Sequence, residues 1–359
     1  MLSGVDDLVL RGEAPRTWSG PEGSSHKWNA SGAVGQPDQS WLAWDKLNWA
    51  ARQQVHSLFH LPLRDDLFGS LDWPQGAGYH RSVPRPHNPR LPGPRPRKAL
   101  GQHFLRDSGV LADIVSAVRV PPGGVTVEIG AGTGQLTAAL LEAGHNVTAL
   151  EVEERLIPHL IQRFRGAPGF RVVVADARDI DYAQVVPRGT PFAVVGNLPY
   201  FAANPIIRHI LEGAPKPTEA VVMVQREVAR ELAAKSGQAS LLTMSVQVYA
   251  DAEMLFDVPP TAFDPPPSVY SSVVRLTLHS RPRVPIADLD AFFALVSKTF
   301  RNPRKQIHNA LSRESGLTAE EADGALRAAG VDPMRRAETL SIDEWLALLA
   351  STREVQTGG

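Results

Sequence analysis

The 359-residue chain contains no cysteine. That excludes a disulfide framework and any thiolate metal site, and it fits a reducing compartment. No apolar run approaches the roughly 20 residues a membrane-spanning helix needs. The first residues carry Asp6 and Asp7 and lack an apolar signal core, so a cytoplasmic protein is expected rather than an exported one. An excess of charge of one sign is missing too. The 37 Lys and Arg meet 38 Asp and Glu, a formal net charge of −1. Nucleic-acid binding therefore has no support from the total, only from local clusters.

Two such clusters are present. Arg81, Arg85, Arg90, Arg95, Arg97 and Lys98 follow one another without an acid between them. So do Lys298, Arg301, Arg304, Lys305 and Arg313. Either run is compatible with an ordinary solvated face, but two of them in a neutral chain favour an RNA partner.

The length accommodates about two domains plus tails. Residues 1 to 95 differ from the rest: Pro, Gly and Ser are scattered, and Trp18, Trp28, Trp41, Trp44, Trp49 and Trp73 follow no period. Trp41 to Phe59 has the makings of a short helix, and Pro74 to Pro96 reads as an extended linker. Two readings stay open for this segment, a disordered extension and a start codon placed too early.

Beyond it, apolar strands alternate with helical periodicity. Val110, Leu111, Ile114, Val115 and Val118 have helical spacing, closed by Pro121-Pro122-Gly123-Gly124. Val125–Ile129, Val147–Leu150, Arg171–Ala175, Phe192–Val195 and Ala220–Val224 read as buried strands. Helices fall between them, including Leu156–Phe164. This predicts an α/β fold with a Rossmann-like, mostly parallel sheet over residues 96–280. Leu241–Tyr249 and Ser271–Leu278 are expected as a late, partly antiparallel strand pair. After Arg281-Pro282-Arg283-Val284-Pro285 the text is helical, and 281–355 is expected as a small all-helical domain. Leu289–Phe300 and Lys305–Leu311 are helices there. Thr318-Ala319-Glu320-Glu321 and Ser341-Ile342-Asp343-Glu344 are capping-box starts.

In an open α/β sheet, ligands lie beyond the carboxyl ends of the strands. Gly130, Glu151, Asp176 and Asn197 all fall there. Gly130, Gly132 and Gly134 let the backbone come close to a ligand. Glu151, about 20 residues after the first glycine, suits ribose hydroxyls, and Asp176 suits an adenine amine. Glu-Ile-Gly-Ala-Gly-Thr-Gly is not the longer pattern that seats a pyrophosphate, and its leading acid favours a sulfonium methyl donor. In Gly196-Asn197-Leu198-Pro199-Tyr200, Gly196 turns the chain and Asn197 presents an amide. Pro199 removes a donor, and Tyr200 offers a ring for stacking. Carbonyl acceptors beside an aromatic plate suit the amine of a base taken out of its stack.

With these motifs the chain resembles the ribosomal RNA adenine N6,N6-dimethyltransferases, most closely their bacterial small-subunit branch. The resemblance spans about Arg97 to Leu349. It rests on Lys98 through Leu105, the Gly130 loop, Gly196 through Tyr200, Gln225-Arg226-Glu227-Val228, Ala262 through Val269, and Phe300 through Leu311. It implies an S-adenosylmethionine donor held by His103, Leu105, Gly130, Gly132, Glu151, Asp176 and Asn197. It implies a target adenine held by Asn197, Leu198, Pro199 and Tyr200, with Phe263 as a second stacking face. Direct methyl transfer follows, with no metal and no covalent intermediate, giving N6,N6-dimethyladenosine at two adjacent adenosines in the 3′-terminal hairpin of 16S rRNA. The implied partner is small-subunit rRNA in an immature 30S subunit, acted on by a monomer during subunit biogenesis. Two positions depart from the family: His103 stands where Asn is usual, and Ser268 where Lys is common.

Other readings are methylation of large-subunit rRNA, a non-catalytic assembly factor that keeps the fold, and a nicotinamide oxidoreductase. The three-proline stretch and the Gly330–Glu338 text favour the small-subunit branch. The intact loops at Gly130 and Asn197 disfavour the second. Short glycine spacing and the lack of a Tyr-x-x-x-Lys pair disfavour the third.

Arg301, Arg304, Lys305 and His308 are expected to grip RNA phosphates. Replacing Arg301, Arg304 and Lys305 by Ala flattens the dependence of RNA affinity on salt, by close to one unit of logarithmic slope per lost phosphate contact. Titrations between 50 and 200 mM salt check this, and an unchanged slope rejects the patch.

Overall fold

The computed structural model describes residues 103–358 apart from 236, 303 and 315. The 1–95 segment, the helix expected at Trp41–Phe59, the Arg81–Lys98 cluster and the start of the Lys98–Leu105 motif lie outside them.

Each parallel strand is a short run dominated by apolar and β-branched residues, as a largely covered strand requires, with acids such as Glu128 and Glu151 at or near the strand ends. β1 (Phe104–Leu105) is followed by α1 (Ser108–Ala117), whose first amides, Gly109 and Val110, donate to the Asp107 carboxylate. Then come β2 (Val125–Ile129), α2 (Gln135–Glu142), β3 (Val147–Glu151), α3 (Ile157–Arg163) and β4 (Phe170–Val174). β5 (Phe192–Asn197), α4 (Ala203–Glu212), β6 (Glu219–Gln225) and α5 (Arg226–Leu232) continue the alternation. α6 (Leu241–Tyr249), β7 (Ala250–Val258), β8 (Phe263–Asp264) and β9 (Ser271–Leu278) complete the sheet region.

The seven-stranded sheet runs β4-β3-β2-β5-β6-β9-β7. β4 through β6 are parallel, and β9 is antiparallel to both β6 and β7. β1 and β8 form a separate antiparallel ribbon that joins Leu105 to Phe263.

The Rossmann-like α/β reading holds, with one correction. Leu241–Tyr249, expected as a strand, is helix α6. Ser240 and Thr243 close a capping box at its start, and Thr243, Met244, Val246, Val248 and Tyr249 are buried. A helix buried on several sides shows no clean period, so its apolar run mimics a strand. The partner of β9 is the next segment, β7, whose exposed Asp251, Glu253 and Asp257 suit an edge strand.

The C-terminal helices are α7 (Leu289–Phe300), α8 (Ile307–Glu314), α9 (Ala319–Ala328) and α10 (Ile342–Gly358). Thr318 and Glu321 form the expected capping box. At α10 the Ser341 amide donates to Glu344 Oε2 and the Glu344 amide to Ser341 Oγ. One buried cluster runs from Val222 and Val274 of the sheet through Val246 of α6 to Phe292, Leu326 and Trp345. The helical segment therefore shares its core with the sheet. Among the described residues no helix is long and apolar enough to cross a membrane.

Register places the functional rim. Ile129 lies opposite Leu150 on one side and Gly196 on the other. The chain thus leaves β3, β2 and β5 at one level. Gly196 is required there, because a Cβ would stand 2.7 Å from the Ile129 carbonyl oxygen. That oxygen belongs to the central strand and has little room to yield. Gly196→Ala is expected to destabilise the fold by about 1–3 kcal/mol, the usual range for forced overpacking. Urea unfolding checks it, and a midpoint equal to wild type would show that the strand ends yield.

Candidate active site

The loop after β2 reverses direction through left-handed glycines, Gly130 at φ 72° and Gly132 at φ 58°. Side chains rarely adopt that backbone. The reversal aims the Gly132 N–H at Glu151, whose Oε2 accepts it at 2.8 Å. Glu151 Oε1 accepts the Glu153 amide at 2.9 Å. The carboxylate is thus held by two backbone donors with further lone pairs left over. Burial raises the Glu151 carboxyl above its usual value, against the pull of those two hydrogen bonds.

Beside it the structure has room for a ligand. A Cβ built on Gly130 would meet only the Asn197 carbonyl oxygen, at 3.8 Å. That open space lies between the Gly130 loop and the end of β5. Strand spacing puts Glu151 and Asn197 on either side of Gly130, about 10 Å apart. The donor set fits a nucleoside sulfonium: a carboxylate for a ribose diol, glycines for close approach, and a carbonyl-rich strand end for a positive sulfur.

Asp176 follows β4 on the same rim. The Arg178 guanidinium grips its carboxylate and holds it below the usual carboxylate range. The Arg178 amide also donates to its Oδ1 at 2.9 Å. Val152, missed in the sequence reading, is 63% exposed directly after Glu151. A large apolar side chain bared beside a functional carboxylate is the signal that marks it, since a purine ring needs such a face.

Asn197 is anchored by its amide nitrogen, which donates to the His103 carbonyl at 3.1 Å. A carbonyl only accepts, so this contact assigns Nδ2 and leaves Oδ1 with no donor among the described residues. Tyr200 is fixed at its hydroxyl, 3.0 Å from Ser271 Oγ. The Leu198 amide donates to the Met223 carbonyl at 3.0 Å, and the Pro199 carbonyl accepts from Ala202 at 2.9 Å. Among the described residues no donor reaches the Leu198 carbonyl.

The structure brings His103 to this clamp rather than to Glu151. Its ring stacks with Tyr200, with centroids 5.9 Å apart at 29°. Nδ1 lies 2.8 Å from the Pro265 carbonyl, which requires a proton on Nδ1 and leaves Nε2 as the acceptor in the neutral ring. Leu105 is buried, so only its backbone is available to a ligand. Phe263 is 5% exposed and sits in the core beside Leu105. Its ring is therefore nearly covered by the protein in this structure. Phe104, also missed, covers Gly132, where a Cβ would come within 3.1 Å of its ring.

Arg301, Arg304 and Lys305 are exposed between α7 and α8. His308 is part-buried, with its Nδ1 3.3 Å from Asp323 Oδ1 of α9. Arg335 binds Glu344 at 2.5 Å and so serves the start of α10.

Comparison with known proteins agrees with this geometry. A family model described as ribosomal RNA adenine dimethylase matches residues 94–353. Ribosomal RNA small subunit methyltransferase A of Dehalococcoides mccartyi is 39% identical over 253 residues, 70% of this chain and 87% of that protein. The protein of the same name from Desulfitobacterium hafniense is 40% identical over 258 residues, 71% of this chain and 92% of that protein. Among solved structures, the 23S rRNA methyltransferase ErmE aligns with a TM-score of 0.57 and 29% identity, over 70% of this chain and 99% of that one. A dimethyladenosine transferase from Plasmodium falciparum aligns with a TM-score of 0.60 and 23% identity, over 71% and 98%, a likeness of fold.

Beneath the glycine loop lies Glu128, whose Oε2 accepts the Thr137 hydroxyl at 2.5 Å. Burial pushes its carboxyl up from 4.5 to about 7. Between those values the folded protein holds a proton that the unfolded chain has lost, so stability falls as pH rises through the window. Gln can accept the same hydroxyl and carries no charge. Glu128→Gln is therefore expected to match wild type near pH 4.5 and to exceed it by about 3 kcal/mol at pH 8. Unfolding midpoints at the two pH values check this. Parallel pH profiles for the two proteins would place the titration elsewhere.

Proposed function

This chain belongs to the ribosomal RNA adenine dimethylase family, and on that premise we propose how its residues carry out S-adenosylmethionine-dependent dimethylation of adenine N6 in small-subunit rRNA. The observation that carries the mechanism is the fixed Asn197 amide, whose nitrogen is tied to the His103 carbonyl so that its oxygen remains to accept. The finer reading is two adjacent adenosines in the 3′-terminal hairpin of 16S rRNA, methylated in an immature 30S subunit by a monomer in the cytoplasm.

S-Adenosylmethionine, when bound, supplies an electrophilic methyl on a sulfonium. Gly130, Gly132, Glu151, Asp176 and Val152 hold it along the β2–β4 end of the rim, with the Leu105 backbone close to the glycine loop. Asp176 must release Arg178 to accept an adenine amine, which makes Arg178 a competitor for that carboxylate.

Adenine N6 is a poor nucleophile because its lone pair is delocalised into the ring. On the unmethylated base, Asn197 Oδ1 and the Leu198 carbonyl accept its two N–H groups and favour a pyramidal nitrogen with its lone pair directed at the methyl. N6 sheds one proton to solvent for each methyl gained, so the second transfer is oriented by the single N–H that remains. Both acceptors sit at the end of a buried strand and stay oriented between turnovers, so positioning contributes most of the rate. Pro199 stiffens the loop, and the Tyr200 ring stacks on the base, worth about 1–3 kcal/mol. Phe263 limits how deep the base goes, and Arg301, Arg304 and Lys305 bind phosphates away from the slot. The ErmE likeness supports a second reading, methylation of large-subunit rRNA. The closer identity to small-subunit enzymes favours the first.

Asn197→Ala is expected to keep donor affinity within about tenfold, because the Gly130–Glu151 cradle does not use that side chain, and to abolish methyl transfer. The assay combines donor titration with mass-spectrometric location of label on unmethylated small subunits. Normal turnover by the variant would remove Asn197 from the mechanism.

A further inference from the structure

The rim continues past the clamp toward β9, where a second exposed ring stands. Tyr270 is 44% exposed and directly precedes β9. Its neighbour Ser271 is the residue that anchors the Tyr200 hydroxyl. Arg226 opens α5 at the end of β6, the strand between β5 and β9. The Arg226 amide donates to the Tyr270 carbonyl at 3.0 Å. Its guanidinium lies over the Tyr270 ring, 4.7 Å from the centroid. Asp257 of β7 lies 3.7 Å from the same guanidinium.

We propose that Tyr270, backed by Arg226, is a stacking subsite for the nucleobase next to the methylated adenosine. The proposal rests on the rRNA-methyltransferase reading of the site. The ring is constrained at its backbone and on one face, so little freedom is lost when a base covers the other face. Arg226 on the rear face keeps positive charge close to the path of the RNA backbone. Flipping one adenine into the Tyr200 slot leaves its neighbour without a stacking partner, and an exposed aromatic further along the rim replaces it. Phe201 is 69% exposed and Val269 is 41% exposed, so the bared apolar surface runs from the clamp toward Tyr270. A lone solvated tyrosine accounts for the exposure, but not for a cation held behind the ring and a hydrogen-bonded link to the clamp. A protein partner on this surface would leave methyl transfer indifferent to the flanking base.

The test uses the full chain and unmethylated small subunits whose nucleotides flanking the adenosine pair are purine or uracil. Purines stack better, so wild type is expected to favour a purine at one flanking position. Tyr270→Ala is expected to lower kcat/KM on the purine-flanked subunits by about tenfold and to erase that preference, with donor affinity unchanged. Tyr270→Phe and Tyr270→Trp should restore both, which separates lost stacking from misfolding. Loss of equal size on purine- and uracil-flanked subunits, or kcat/KM for Tyr270→Ala within twofold of wild type, overturns the subsite. If wild type itself transfers no methyl to any of these subunits, the functional reading falls and the subsite falls with it.

Discussion

The site depends on three parallel strands that end at one level. Ile129 of β2 is opposite Leu150 of β3 and Gly196 of β5. That register sets Glu151, Gly130 and Asn197 side by side. A slip of one residue in any of the three would turn its side chains to the other face and disperse the set. The Gly132 N–H bound to the Glu151 carboxylate then ties two strand ends together. The donor cradle is thus a property of the sheet, and its loops have little freedom to lose on binding.

Much of this was readable beforehand. Gly130, Glu151, Asp176 and Asn197 were each assigned to a strand end, and a parallel sheet puts its ligands there. The capping boxes at Thr318 and Ser341 were readable because they are local, with partners three residues apart. What was not readable depends on distant pairs. The β1–β8 ribbon joins residues about 160 positions apart, and it carries His103 to Asn197 and Phe104 over Gly132. No spacing in the sequence shows that contact. Leu241–Tyr249 misled for a different reason: burial on several sides erased its helical period. His308 sits in a basic run, yet its Nδ1 lies 3.3 Å from Asp323 of α9, a neighbour that no local spacing announces.

Electrostatics at the rim follows from burial. Glu128 and Glu151 are both buried, and each disfavours the charge of the other. Two ionised carboxylates in one dry site would be costly unless paired. The structure resolves this by hydrogen bonding. Glu151 takes two backbone amides, which support its charge, while Glu128 accepts the Thr137 hydroxyl and is raised to about 7, so that it keeps a proton part of the time near neutral pH. The carboxylate that faces the open space is the better supported of the two. A ligand with hydroxyl donors and a positive sulfur meets a single supported charge there.

At the other half of the site, the useful atom is defined by what it is denied. An asparagine side chain can present its oxygen or its nitrogen, and at a strand end in solvent it would present both. Here the His103 carbonyl takes the nitrogen, because it cannot accept from the oxygen. His103 is itself held in place by its Nδ1 contact with Pro265, beyond the β8 strand that pairs with Phe104 and Leu105. The side chain that departs from the family at this position is therefore used for structure, while its backbone serves the site. The Asn197 oxygen is left as an acceptor beside the Leu198 carbonyl and the Tyr200 ring. A base with an exocyclic amine satisfies both acceptors, whereas a base presenting a carbonyl at that point would face two oxygens with no donor. In the proposed mechanism, that single hydrogen bond behind the site is what disposes the clamp toward adenine over a keto base.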